Sequence, residues 1–395
     1  TYPPYATGGA DMYAERISKE LSNKGHEVVV ITTCPYNGLS SLKPSIKMED
    51  GIKVHRFYPL NIYSWINSAK KSILQKLIWN SLDFWNLHTY FTIKKILEKE
   101  NPDVVHIHTP IWISLSVFDA VKSAKIPSVF TVHDYLLLCR STLLLHANGS
   151  ICEEPKTVCK WYQKLSRKIT GNKPDIVIAP SQFIINMLKS YGFFQKTEFV
   201  KLALGTKLNN KKTKKDYETI DILYAGTLIN HKGVDILIKA FKNLKQDNIK
   251  LHILGKGTEE DSLKKLAEND GRIIFHGFLE GEELNSCYQN ANITVVPSVC
   301  FDNSPLVIYE SFMNGTPVVG SKIGGIPELI DEGHDGFLFE PGNSLDLEKI
   351  LQRLIESPDL MKKLADGAYK SREKYDLQLH IKKLENIYAK ITTSK

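Results

Sequence analysis

Four short stretches of the chain hold side chains that could do chemistry. In Phe301-Asp-Asn-Ser-Pro-Leu-Val-Ile-Tyr-Glu310, Asn303, Ser304 and Pro305 read as a helix start, where free backbone amides and the helix dipole favour a phosphate. Glu310, farther along that helix, can accept hydrogen bonds from ribose hydroxyls. The second stretch, Gly226-Thr-Leu-Ile-Asn-His-Lys-Gly233, follows a strand and precedes the helix carrying Val234, Leu237, Ile238 and Phe241. Lys232 therefore faces the crevice in which open α/β sheets bind ligands, and its ammonium can neutralise a departing diphosphate. Gly8-Gly9 stands just before a helix, so backbone amides without side chains in the way can approach an anion. In Phe130-Thr-Val-His-Asp134, His133 stands at the carboxyl end of a strand, where a side chain of an open α/β sheet can meet a ligand, with Asp134 beside it to orient the ring. Taken singly, each has an ordinary reading: a tight turn, a solvated lysine, a structural histidine. Together they converge on a nucleotide diphosphate.

Strand ends and helix starts must position these residues. Ala10, Ala14, Ile17 and Leu21 recur at helical spacing, Gly25 closes that helix, and 28–32 is a β-branched run suited to a buried parallel strand. Strands are expected over 104–108, 128–133 and 176–179, and again over 222–225, 251–254, 273–276, 293–296 and 317–319. The polar, lysine-rich segment 206–219 between the two series reads as a linker. This gives an α/β chain of two Rossmann-like domains, 1–205 and 206–370, and a helical segment, 371–395, expected to return to the first. Residues 1–10 read as a loop, with a further strand expected upstream. Between 64 and 97, Trp65, Trp79, Phe84, Trp85, Tyr90 and Phe91 alternate with Lys70, Lys71, Lys76, Lys94 and Lys95. They read as two helices with buried apolar stripes, the sharper alternative being an amphipathic face against an anionic membrane or a lipid-linked acceptor.

The 395 residues exceed what one core ordinarily holds, and 42% hydrophobic with 24% charged residues describes a folded globular chain. No run reaches the roughly 18 to 20 apolar residues of a membrane span and no leader pattern opens the chain, so a cytoplasmic protein is expected, peripheral at most to the inner membrane face. A formal charge of +7 suits anionic ligands without demanding nucleic acid, and no nucleic-acid motif occurs. The six cysteines form no regular disulfide framework, and Cys139, Cys152 and Cys159 lack a fourth ligand at short spacing, so neither disulfides nor a metal is expected.

The 301–310 stretch resembles the acidic motif of glycosyltransferase family 4, the retaining GT-B enzymes. Gly315-Thr-Pro-Val-Val319, Gly324-Gly-Ile-Pro-Glu-Leu329, Gly25-His-Glu-Val28, Asp335-Gly-Phe-Leu338 and the Pro-Pro-x-x-x-Gly-Gly start extend the resemblance over the whole chain. It implies a GT-B fold, with the donor held mainly by the second domain and the acceptor mainly by the first. His133, Lys232 and Asp302 are then the residues of the reaction. Gly8, Gly9, Gly226, Thr227, Lys232, Asn303, Ser304, Pro305, Leu306, Val307 and Glu310 are those of the donor.

Two positions depart from the family pattern. Asp302 stands where the family usually has Glu, and Thr227 where it commonly has an arginine that clamps the diphosphate. The expected reaction is front-face transfer with retention from a UDP- or GDP-sugar to a sugar, lipid-linked or small-molecule acceptor, in polysaccharide or glycolipid synthesis. The departing phosphate takes the acceptor proton, and neither cofactor nor metal is required. The competing readings are a nucleotide-sugar epimerase and a GT-B scaffold without transfer activity.

Overall fold

The computed structural model describes all residues except 6–7, 65, 68–70, 147, 209–214 and 394–395. Trp65, Lys70 and the middle of the expected linker therefore lie outside the described residues.

The first half runs α1 (Gly9–Asn23), β1 (Val29–Thr33), β2 (Ser45–Glu49), β3 (Ile52–Phe57), α2 (Ile73–Phe84), α3 (Leu87–Glu100), β4 (Val105–Ile107), α4 (Ser116–Ala124), β5 (Ser128–Thr131), α5 (Thr157–Thr170), β6 (Ile176–Ala179), α6 (Gln182–Ser190) and β7 (Glu198–Lys201). Its strands form two sheets, β1-β3-β2 and the parallel β4-β5-β6-β7. The β2–β3 hairpin, absent from the sequence-based expectation, turns on Asp50-Gly51, both at positive φ (49° and 79°), the conformation that twists strands together. β1 and β4 are both edge strands and face each other across a cavity of ≈ 450 Å³ lined by Leu21, Val30, Ile31, Ile93 and Val105.

The second half contains β8 (Ile220–Ala225), α7 (Val234–Asn243), β9 (Ile249–Leu254), α8 (Glu260–Leu266), β10 (Ile273–Gly277), α9 (Gly281–Asn290), β11 (Ile293–Val296), α10 (Leu306–Met313), β12 (Val318–Ser321) and β13 (Gly336–Phe339), then α11 (Ser344–Ile355), α12 (Pro358–Ser371) and α13 (Leu377–Thr392). One parallel sheet, β10-β9-β8-β11-β12-β13, reverses its strand order between β8 and β11. Ligands of open α/β sheets bind at such a switch point, and the two loops that leave it are those carrying Lys232 and Asp302.

α13 lies against the first half. Tyr13 Oη and His380 Nε2 are 2.5 Å apart, His106 Nδ1 and Tyr388 Oη 2.6 Å, and Lys24 pairs with Glu385 at 2.8 Å. α1 is buried beside α10 and α13, Tyr13 and Ile17 sharing one apolar cluster with Ile308, Phe312, Ile381 and Leu384.

The 64–97 segment divides in two. α3 buries Ile93, Ile96 and Leu97 as expected of a core helix. α2 does not: Ile73, Leu74, Leu77, Ile78 and Leu82 are exposed, and only Trp79 and Asp83 are buried. The buried-stripe reading is wrong for α2, because its apolar residues span a wide arc of which only one edge reaches the body.

Candidate active site

A cavity of ≈ 450 Å³ opens between the two halves. Gly8, Gly9, His133, Gly226, Thr227, Lys232, Asp302, Asn303, Ser304, Pro305, Leu306 and Val307 all line it. Glu310 is not among the lining residues.

Two helix starts meet at this cavity. Gly8 caps α1 and Pro305 caps α10, both without a side-chain cap. The turn bond of α10 runs from Ile308 N–H to the Pro305 carbonyl, so the amides before it have no helical acceptor and, with the dipole, favour an anion. The approach is close: a Cβ at Gly9 would come 3.0 Å from Leu306 Cδ1. A side chain at Gly9 would have to displace the end of the Leu306 side chain.

Lys232 closes a single 3₁₀ turn, Asn230–Lys232, after β8. Its Nζ lies 2.7 Å from Asp302 Oδ2, which also accepts from Ser298 Oγ at 2.6 Å. The two side chains are 27% and 18% exposed. Burial opposes charge on both, but each partner more than offsets it, so the ammonium lies above its ordinary pKa and the carboxyl below. Lys232 is thus a cation already paired. It is the only Lys or Arg among the described lining residues, against the carboxylates of Asp11, Asp134 and Asp302.

The loop carrying Asp302 is pinned from behind. Gly325 N–H donates to the Asp302 carbonyl at 2.7 Å, and a Cβ at Gly325 would stand 1.9 Å from the Asn303 carbonyl oxygen. Asn303, expected to offer its backbone amide to a phosphate, lines the cavity and uses its side chain to link the halves. Its Nδ2 donates to the carbonyls of Val132 and His133, both at 3.2 Å, and its Oδ1 accepts from Ser181 Oγ at 2.6 Å. With the amide spent there, only its backbone is left for a ligand. Ser304 Oγ lies 2.5 Å from Tyr309 Oη.

His133 sits at the end of β5, its Nε2 3.1 Å from Nδ1 of His108 and its ring edge-on to Tyr13. Burial pushes it down to about 4, so the ring is neutral near pH 7. Asp134 does not orient it: its Oδ1 accepts from Leu136 N–H at 2.8 Å, capping its own turn, and burial lifts the carboxyl to about 6. The partner is His108, just past the end of β4, and its sequence signal is the alternation His106-Ile-His108. Glu310 accepts from Tyr288 Oη at 2.9 Å, and burial raises its carboxyl against the pull of Tyr288 and Arg16. Thr227 lines the cavity and its carbonyl accepts from Tyr224 Oη at 2.9 Å. Among the described residues no cluster of three or more His, Cys, Asp or Glu could hold a metal ion.

Two Rossmann-like halves with a cleft between them and a crossing-back terminal helix are the GT-B architecture. Solved structures agree: sucrose-phosphate synthase from Thermosynechococcus elongatus superposes with a TM-score of 0.77 at 17% identity, over 98% of this chain and 95% of that one. Anabaena Alr3699/HepE, solved in complex with UDP-glucose, gives 0.70 at 19% identity, over 98% and 97%. The sequence profile described as Glycosyltransferase Family 4 matches residues 7–200, and that described as Glycosyl transferases group 1 matches 206–371. Similar proteins include a glycosyltransferase of Methanocaldococcus jannaschii, 26% identical over 98% of this chain and 95% of its own length, and glycogen synthase of Mycobacterium tuberculosis, 25% identical over 93% and 87%. The chain belongs to this glycosyltransferase family and is a transferase.

Proposed function

We propose that the chain transfers a sugar, with retention of anomeric configuration, from a UDP- or GDP-sugar held in the cleft to a hydroxyl of a saccharide, free or lipid-linked, in polysaccharide or glycolipid synthesis. One observation carries the reading: two helix starts and Lys232 converge on a single cavity whose far wall is His133. The diphosphate sits against the backbone amides of Ser304, Leu306 and Val307 and of Gly8-Gly9, and Lys232 balances its charge as the glycosidic oxygen departs. Neutral His133 bonds a sugar hydroxyl without adding a cation beside the developing oxocarbenium centre. Each carboxylate of the cavity wall is already engaged: Asp302 is bound to Lys232 and Ser298, Asp134 caps its own turn and Asp11 accepts from Thr1 Oγ1, which leaves none set aside as a nucleophile. Front-face transfer follows, the departing phosphate taking the acceptor proton, with no metal required. Glu310 acts on the ribose from behind the first turn of α10. The UDP-glucose complex of the similar Anabaena protein supports a uridine donor.

The second reading, a nucleotide-sugar-binding scaffold, is favoured by the Lys232–Asp302 pair and by Thr227, which leave the cleft short of free positive charge. Thermal stability against UDP-, GDP- and ADP-sugars, followed by assay of donor hydrolysis, separates them. A rise in melting temperature that Lys232→Ala abolishes, together with turnover, supports transfer. Binding without turnover of any donor sinks it in favour of the scaffold.

A further inference from the structure

We infer that the outer face of α2 docks on an anionic lipid bilayer and so holds the cleft at the surface from which an amphiphilic acceptor enters; the second clause rests on the transfer reading above. Along α2, Ile73, Leu74, Leu77, Ile78 and Leu82 are 80%, 67%, 59%, 44% and 42% exposed. Their spacing puts them on one side of the helix, a continuous apolar arc of branched side chains in water. The helix does not need that face to fold. Its start carries a capping box between Ser72 and Gln75, and its inner side is fixed by Trp79, whose Nε1 donates to the Tyr63 carbonyl at 2.8 Å.

Charge selects the occupant. The one carboxylate on α2, Asp83, is buried and paired with Arg140 at 2.8 Å, so it presents no negative charge outward. α5 meets the end of α2 where Phe84 and Tyr162 pack at 5.3 Å between centroids. It has no Asp or Glu, exposes Lys160, Lys164, Arg167 and Lys168, and exposes Trp161 at 58%. The exposed charges on α2 and α5 are all cationic, with the exposed Glu153 and Glu154 standing before the start of α5. Aliphatic residues, an exposed tryptophan and these cations fit the interfacial layer of an anionic membrane: apolar groups enter the acyl boundary and lysines reach the headgroups. An apolar partner protein would explain the arc but not the basic rim.

The face also adjoins the cleft. Trp79, on the inner side of α2, packs edge-on against Trp112 at 5.5 Å, and Trp112 lines the cavity with its backbone held at φ 65°. The tryptophan pair thus joins α2 directly to the cavity wall.

The test is flotation of the full chain with phosphatidylcholine vesicles, with and without phosphatidylglycerol. Comparison variants are Leu74→Glu/Leu77→Glu and Lys160→Glu/Lys164→Glu, neither pair in the cleft. The expected result is flotation with the anionic vesicles, weakened by salt and reduced about tenfold or more by each pair, with melting temperature and UDP binding unchanged. Two results overturn the inference: no flotation of the unsubstituted chain with anionic vesicles, or flotation unaltered by both pairs. Sedimentation velocity without lipid supplies a third: a dimer that Leu74→Glu/Leu77→Glu dissolves would make the face a contact between copies of the chain. None of these outcomes touches donor binding, which the nucleotide titration reads separately.

Discussion

Asp302→Asn asks whether Lys232 is withheld from an anionic ligand by its present partner. The pair is 2.7 Å apart and only 27% and 18% exposed, and Asp11 and Asp134 line the same cavity. A diphosphate brought to Lys232 stands beside the Asp302 carboxylate. Two like unit charges ~4 Å apart repel by about 1 kcal/mol in water and about 4 kcal/mol at an effective dielectric near 20, and a partly open cleft lies nearer the first. Removing the charge of Asp302 while keeping its shape is therefore expected to tighten UDP or GDP binding by roughly 1 to 2 kcal/mol, about 5- to 30-fold. Lys232→Ala removes a charge-assisted contact of about 1.5 to 3 kcal/mol and is expected to weaken binding about 10- to 150-fold. Asp302→Asn also gives up the ion pair and is expected to lower folding stability by about 1 to 3 kcal/mol, less than for a fully buried pair. Calorimetric titration at low and high salt reads the affinities, and denaturant unfolding reads the stability. The reasoning is refuted if Asp302→Asn weakens nucleotide binding as much as Lys232→Ala does, since the carboxylate would then be holding the lysine in place rather than competing for it. If Asp302 also touches the donor sugar, the Asn variant binds nucleotide more tightly yet turns over more slowly, a split visible between Kd and kcat.

Thr227→Arg puts a second cation on a wall that has one, and is expected to tighten nucleotide binding about tenfold in the same titration. No change would mean that position 227 does not face the diphosphate. Asn303→Ala cuts the bonds from the loop to Val132, His133 and Ser181 and leaves buried groups unpaired. It is expected to cost about 2 to 4 kcal/mol in denaturant unfolding, and a loss below about 0.5 kcal/mol would show that the link between the halves is slack. Acid should destabilise the chain, because burial holds His106 near 3 and His133 and His380 near 4, below the ordinary value near 6.5. As pH falls below about 6.5 the unfolded chain takes up these protons first, so stability present at pH 7 is lost towards pH 4, by about 2 kcal/mol per histidine at pH 5. Asp134, lifted to about 6 by burial, opposes this by about 1 kcal/mol. Urea midpoints at pH 7 and pH 5 that coincide would contradict the burial of this cluster.

What the sequence made legible, and what it hid, follows from how local each signal is. Parallel strands such as 176–179 and 293–296 are short β-branched runs between turns, so their bounds could be read directly. The hairpin of β2 and β3 alternates polar and apolar residue types, Ser-Ile-Lys-Met-Glu49 and Ile-Lys-Val-His55, without a long apolar run, and its one strong local mark is the turn pair Asp50-Gly51. Lys232, Asp302 and Ser304 were found because a strand end or helix start places them whatever the rest of the chain does. Their pairing was not legible, since the 70 residues between Lys232 and Asp302 say nothing of two loops meeting at a switch point. The same limit explains Asn303 and Asp134. Both types can hold a ligand or bond to nearby backbone, and only the folded surroundings decide which use prevails: carbonyls across the cleft for Asn303, its own turn for Asp134. α2 failed for a different reason. A helical apolar stripe reports that one side of a helix avoids water, but not what covers it. In α3 the cover is α4, whose Val117, Phe118 and Val121 share a cluster with Ile93 and Leu97; in α2 no described part of the chain covers the stripe, while the only carboxylate on the helix has been turned inward to Arg140. A stripe left bare inside a field of lysines is a statement about a surface outside the chain, and composition alone cannot distinguish it from core.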